Sequence, residues 1–194
     1  MTAGRTVVGL STHWGTPQKY VEAVRAAFGG EIALDPCSNK WSIVMARTEW
    51  ALPDEDGLRN KWNFSTIFVN PPYGLDKARG TRISHWLAKC SDASQSFGAE
   101  VIALIPLAAN TKHWKDHIWS RATSVCFLYD TRLRFLENGQ DTGKGAPMAC
   151  CAVYWGQRHE RFADAFAEYG ATLQLAEIRL PHTPKQARLK LVSG

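Results

Sequence analysis

Asn70, Pro71, Pro72 and Tyr73 follow the apolar run Thr66, Ile67, Phe68 and Val69 without a gap, and Gly74 closes the stretch. The run reads as a buried strand that stops on an amide. Pro71 and Pro72 each fix φ and lack an N–H, so the turn offers carbonyl oxygens and no main-chain donors at those positions. A turn rich in acceptors suits a ligand that donates, such as an –NH2 group. Tyr73 adds a flat face beside it. An exocyclic amine on a nucleobase is a poor nucleophile, because its lone pair is delocalised into the ring. Acceptors on its two hydrogens return electron density to nitrogen, and the Asn70 side-chain oxygen and the Pro71 carbonyl are placed to serve. Holding that nitrogen in line with an activated methyl group supplies much of the remaining rate.

Such a turn must be carried by a scaffold. Residues 17–28 read as a helix, with Thr16 as N-cap and Pro17 at the first helical position. Tyr20, Val21, Val24, Ala27 and Phe28 share one face, and Gly29-Gly30 ends the helix. Apolar runs at 31–35, 66–70, 101–106, 124–129 and 148–155 read as strands, and 171–180 as a final strand or extended segment. Helical spacing falls at 82–96, 111–120 and 160–169. Strands alternating with helices predict an α/β protein with a single mostly parallel sheet covered on both faces. Ligands of such sheets bind at the carboxyl ends of the strands, where Asp35 and Asn70 stand. Residues 36–65 and 130–147 lack periodicity and read as long functional loops.

The chain has 194 residues and a formal net charge of +5, a mild bias toward a polyanionic partner. Five cysteines without C-x-x-C spacing read as reduced thiols of an intracellular protein with no zinc site. His113 and His117, spaced i, i+4, have no third ligand in view and read as solvated or core-edge residues. No signal-type apolar segment opens the chain and no run reaches membrane-spanning length, so a cytoplasmic protein without a membrane partner is expected. One domain over 1–180 is expected, with a polar basic tail over 181–194.

The combined pattern resembles a family. Trp-Gly-Thr-Pro (14–17), Leu-Asp-Pro-Cys-Ser-Asn (34–39), Asp-Gly-Leu (56–58) with Trp62, the 68–74 stretch, HWLAK (85–89), LIPLAANTKHW (104–114) and TRLRF (131–135) occur in the order of the small phage-type DNA N6-adenine methyltransferases, the Dam-like enzymes of phages and prophages. The resemblance implies a Rossmann-like fold, S-adenosylmethionine as cofactor, double-stranded DNA as partner and a bacterial host cytoplasm. It implies that Thr16 and Pro17 lie near the methionine part of the cofactor, with Asp35 beside it and Asn39 beyond. Asp56 would accept from the cofactor's adenine amine. Asn70, Pro71, Pro72 and Tyr73 would hold the target adenine, with Tyr73 stacking on a base flipped out of the duplex at a cost of roughly a few kcal/mol. The Gly-rich turn of larger methyltransferases is missing after Asp35, and no clear acidic residue ends a second strand to bind the ribose, which leaves Glu49 as a weak candidate.

Arg132 and Arg134 alternate with Leu133 and Phe135, so in an extended segment both guanidiniums share a face. That suits phosphate contact or a structural salt bridge. Lys77, Arg79 and Arg82 follow the Asn-Pro-Pro-Tyr turn and read as a DNA path or a solvated loop. Residues 75–82 and 130–147 are the candidates for sequence recognition. The same motif also acts on other nitrogens, so a release-factor glutamine or an RNA adenine is an alternative substrate. Cytosine N4 is a weaker one, because its enzymes usually replace the Asn with Ser. A non-catalytic DNA-binding module is the alternative of another class.

Overall fold

The computed structural model describes residues 14–130 and 132–177. The tail at 181–194, the end of the final expected strand (178–180) and Thr131 lie outside the described residues. Helix α1 spans Gln18–Phe28, one residue later than the periodicity predicts, and buries Tyr20, Val21, Val24, Ala27 and Phe28. Gly29 ends it at φ 82°, and the N–H groups of Gly29 and Gly30 reach back to the Ala26 and Arg25 carbonyls. That left-handed cap is where glycine is needed. Thr16 does not cap the helix. Pro17 occupies the N-cap position without a side-chain bond, and the Thr16 hydroxyl instead accepts from the Asn70 amide just past β4.

The strands are β1 (Trp14–Gly15), β2 (Leu34–Asp35), β3 (Thr48–Glu49), β4 (Thr66–Val69), β5 (Glu100–Pro106), β6 (Ser124–Leu128), β7 (Leu136–Glu137), β8 (Gln140–Asp141), β9 (Cys150–Trp155) and β10 (Gly170–Gln174). The remaining helices are α2 (Ile83–Phe97), α3 (Lys112–Trp114), which widens into a π-helical turn over Lys115–Trp119, and α4 (His159–Phe166).

The seven-stranded sheet has the order β10-β6-β9-β5-β4-β2-β3. β3, β2, β4 and β5 pair in parallel. β9 then enters antiparallel between β5 and β6, and β10 runs antiparallel on the β6 edge. The sheet is therefore mixed, with β9 and β10 running against the other five strands. The sequence does not mark this for β9, whose residues are all buried. A strand buried on both faces has the same apolar pattern whichever way it runs.

Helices do cover both faces. Ile102 and Leu104 of β5 join the core under α1 and α4, with Phe68, Phe162 and Phe166. Val101, Ala103 and Ile105 alternate to the core under α2, with Trp86, Leu87, Trp114 and Trp155. Burying each large side chain of this kind stabilises the fold by about 1.5–3 kcal/mol. The two stretches expected to be irregular each hold short strands. β3 lies within 36–65, and the β7–β8 hairpin within 130–147 pairs with β1 to form a small second sheet. Asn138 and Gly139, both at positive φ, make its turn.

Candidate active site

β2, β3, β4 and β5 end on one edge of the sheet, with Asp35, Glu49, Asn70 and Pro106 at or just past their last positions. A cleft opens on that edge. Trp14, Thr16, Asp35, Asn39, Ile43 and Asn70 are among its walls. The structure thus brings together Thr16, Asp35, Asn39 and Asn70 from three separate segments. Pro17 follows directly at the start of α1, Pro71 is buried and Pro72 is exposed.

Asn70 has a fixed orientation. Its Nδ2 donates to Thr16 Oγ1 at 3.1 Å and to the Trp14 carbonyl at 3.5 Å. The Trp14 carbonyl can only accept, so the amide nitrogen is turned toward β1 and Oδ1 toward the other side. There Tyr73 Oη lies 3.2 Å from Asn70 Oδ1 and 3.1 Å from the Leu104 carbonyl. A phenol has one proton, so it serves one of these oxygens at a time. The Tyr73 ring is half-buried and meets Trp14 and Phe135 edge-on, with centroids 6.4 and 5.7 Å away, while Trp14 stacks on Phe135 at 5.1 Å. Burial, reinforced by neighbouring thiols, pushes the Tyr73 hydroxyl well above the usual phenol range, so it stays a donor.

Asp35 is 4% exposed, and its Oδ1 accepts the Cys37 N–H at 3.0 Å. Burial, with a smaller push from the nearby Glu49 carboxylate, raises it to about 7 against the opposing hydrogen bonds from the Cys37 backbone and side chain. Asn39 Oδ1 accepts the Trp41 N–H at 2.9 Å, a local Asx turn that shapes the loop after β2. Glu49 ends β3 directly opposite Asp35 in the pairing, and its carboxylate accepts from Ser38 Oγ at 2.8 Å and the Ala46 N–H at 3.0 Å.

Asp56 is not among the residues that line the cleft. Its Oδ1 accepts the Leu58 N–H at 3.0 Å and pairs with Arg79, while Oδ2 faces the exposed Arg59 at 3.4 Å. The turn that carries it is pressed onto the exit of β2: a Cβ at Gly57 would sit 1.9 Å from the Pro36 carbonyl oxygen. Only glycine allows that approach.

Among the cationic candidates, Arg79 is turned inward between Asp56 and Asp76. Lys77 and Arg82 are exposed, in a loop closed by the Asp76–Thr81 bridge and by Asp76 Oδ1, which accepts the Ala78 and Arg79 N–H groups. Arg132 and Arg134 are exposed while Leu133 and Phe135 are buried, so the alternation expected of an extended segment is observed. His113 Nε2 lies 3.2 Å from Thr111 Oγ1, and burial holds both His113 and His117 below the ordinary imidazole range. Among the described residues, no group of three or more His, Cys, Asp or Glu is placed to hold a metal ion, and no helix is long and apolar enough to cross a membrane.

Three contributors escaped the sequence reading or entered it only faintly. Trp14 supplies a carbonyl and a ring, Phe135 walls the Tyr73 ring, and Glu49 ends a strand of two residues, too short to carry a period. The advance signal for Trp14 was its place at the head of the Trp-Gly-Thr-Pro stretch (14–17), where no role was attached to it.

Fold and site together define an α/β protein with a ligand cleft at the carboxyl edge of its sheet, built around an amide oriented to present its oxygen. The sequence matches the family described as DNA N-6-adenine-methyltransferase (Dam) over residues 4–166. The chain belongs to that family, whose members are enzymes that methylate adenine in DNA. Among curated proteins no relative matches it.

Proposed function

We propose that the chain is a site-specific methyltransferase that moves a methyl group from S-adenosylmethionine to N6 of an adenine flipped out of double-stranded DNA. The observation that carries this reading is the Asn70 amide, whose nitrogen is bound to Thr16 and Trp14 so that its oxygen faces the Tyr73 side of the turn. An oxygen fixed in that way is an acceptor for an amine. The Pro71 carbonyl, in a turn stripped of N–H donors at two positions, is the second. Together they draw the N6 hydrogens and restore the lone pair, and Tyr73 gives the base a ring to stack on. No strong base is required, since the alkylated amine sheds its proton to water.

The cleft fits the cofactor by the chemistry of its donors. Asp35 is a desolvated carboxyl without a cationic partner among the described residues, and a cationic ligand group would stabilise its ionised form. Glu49 suits a ribose diol, and Ile43 and Val44 suit a flat ring. Asp56 lies outside the lining of the cleft, and its Oδ2, which faces the solvent-exposed Arg59, is the acceptor we assign to the cofactor's adenine amine. When bound, the cofactor supplies the activated methyl group. Thr16, with Pro17, fixes the start of α1 against that site, and Asn39 shapes the loop beyond it.

We read the sheet, with antiparallel β9 beside β5, as a Rossmann-like methyltransferase fold forming one domain over 1–180. Lys77, Arg82, Arg132 and Arg134 are assigned to the DNA phosphates, with Arg79 fixing the loop that presents the first two. The test is long-read sequencing of DNA from cells expressing the protein, beside an Asn70→Ala control. N6-methyladenine in one sequence context, absent from the control, is the expected result. Unmodified DNA in both would sink the reading.

A further inference from the structure

Tyr129 is 69% exposed. It directly follows β6, and β6 runs parallel to β5 because both are antiparallel to β9. The chain at Tyr129 therefore leaves the sheet on the same edge as the chain at Asn70. In the strand order, β6 and β4 are separated by β9 and β5, so three inter-strand spacings of about 4.8 Å put Tyr129 on the order of 14 Å along the edge from Asn70. That is comparable with the roughly 12 Å width of a DNA major groove.

A single exposed aromatic residue is ordinary, but this one stands on a pinned base. The Tyr129 N–H donates to the Tyr169 carbonyl at 2.8 Å. The next residue, Asp130, accepts from Lys19 Nζ and Tyr20 Oη, both at 2.7 Å. Its backbone is thus tied to α1 and to the start of β10, while among the described residues no ring or polar side chain partners the phenol. Two exposed guanidiniums, Arg132 and Arg134, follow within five residues, and Leu107 is 38% exposed at the end of β5 on the same edge. An exposed ring on a fixed backbone, followed in the chain by two exposed cations and carried on the same sheet edge as the site, has the attributes of a surface for a nucleobase.

We propose that Tyr129 is a positioning residue that enters the base stack of duplex DNA beside the gap left by the flipped adenine; this rests on the methyltransferase reading above. Extruding a base unstacks its neighbours. An aromatic face that replaces the missing stacking lowers the cost of the flipped state without touching the reacting atoms. It therefore matters when the target is paired and much less when it is already loose.

The experiment measures kcat/KM on two oligonucleotide duplexes carrying the mapped methylation context, one fully paired and one with an abasic site opposite the target adenine. Tyr129→Ala is expected to lose about 10- to 100-fold on the paired duplex and less than about threefold on the other. Tyr129→Trp should stay near wild type on both, and the melting temperature of each variant should be unchanged. Equal activity of Tyr129→Ala and wild type on the paired duplex would overturn the proposal. So would an equal loss on both duplexes, or a loss by Tyr129→Trp as large as that of Tyr129→Ala. A wild-type protein that methylates neither duplex would instead remove the methyltransferase reading, and this inference with it.

Discussion

Asn70 Nδ2 lies 3.1 Å from Thr16 Oγ1 across a sequence separation of 54 residues. The bond helps to hold the amide nitrogen on the β1 side, where the Trp14 carbonyl can only accept. Without it, the amide can rotate and present –NH2 where an acceptor is needed. Thr16→Val keeps the shape and deletes the acceptor, leaving the Trp14 carbonyl at 3.5 Å as the remaining partner. Turnover should fall by about 1–2 kcal/mol of transition-state stabilisation, the scale of one hydrogen bond. Asn70→Ala should cost on the order of 2–4 kcal/mol, by analogy with removal of an oxyanion-hole donor. Transfer of labelled methyl to DNA measures both, and a Thr16→Val enzyme with wild-type turnover would remove Thr16 from the orientation of Asn70.

Tyr73 holds its hydroxyl against the Asn70 oxygen that the target amine needs. The two donors compete. Tyr73→Phe removes the competitor and keeps the ring, so much of the activity should survive and base capture should not weaken. Tyr73→Ala loses stacking worth roughly 1–3 kcal/mol. Fluorescence of 2-aminopurine at the target position follows base capture in both variants. Identical behaviour of the two would show that the ring is not a stacking platform.

The end of β4 just before Asn70 was legible in the sequence because its signals are local: an apolar run, an amide and two prolines. Helix α1 was legible for the same reason, since Tyr20, Val21, Val24, Ala27 and Phe28 repeat at helical spacing within eleven residues. The failures are all tertiary. Thr16 carries the sequence mark of an N-cap, yet a partner brought from β4 takes its hydroxyl. β3 and β7 are two residues long, and alternation needs more than that to be seen. The direction of β9 is invisible in a strand whose every residue is buried.

Gly57 has no room for a side chain, because its Cα faces the Pro36 carbonyl at the exit of β2. Gly57→Ala must push the Asp56 turn off the end of that strand. Overpacking of this kind costs about 1–3 kcal/mol, and here the displacement also moves Asp56. The expected outcome is a lower melting temperature together with weaker S-adenosylmethionine binding by calorimetry. Asp56→Ala should weaken cofactor binding by about 1.5–3 kcal/mol and leave nonspecific DNA affinity intact. An unchanged cofactor dissociation constant in Asp56→Ala would turn the Asp56-Gly57 pair into a structural turn alone.

Arg132 and Arg134 project from one side of a segment anchored by buried Leu133 and Phe135. Replacing both with Ala should weaken specific and nonspecific duplexes about equally, because phosphate contacts carry no sequence information. The salt slope of binding should shrink by roughly 0.9 for each phosphate that the variant no longer neutralises. A loss confined to the cognate site, about 1–3 kcal/mol, would reassign one of them to a base edge. A fall in thermal stability with DNA affinity intact would make the pair structural.

Asp35 gives the site a pH signature. Its carboxyl is raised from the ordinary 3.8 to about 7, mainly by burial. An acid raised in this way binds more protons folded than unfolded between the two values. Stability therefore falls as pH climbs through that window and stays lowered above about 7. Asp35→Asn keeps the acceptor for the Cys37 N–H and removes the buried charge. It should match wild type near about pH 4 and gain on the order of 2–4 kcal/mol near about pH 8. Cofactor binding should run the opposite way. A cationic ligand group favours the ionised carboxylate, so wild-type affinity for S-adenosylmethionine should rise from about pH 6 to about pH 8, with proton release on binding. The Asn variant should bind more weakly and show a flat profile. Calorimetry in two buffers of different ionisation enthalpy reads both the affinity and the proton count. A wild-type profile as flat as that of Asp35→Asn would take Asp35 out of the cofactor site.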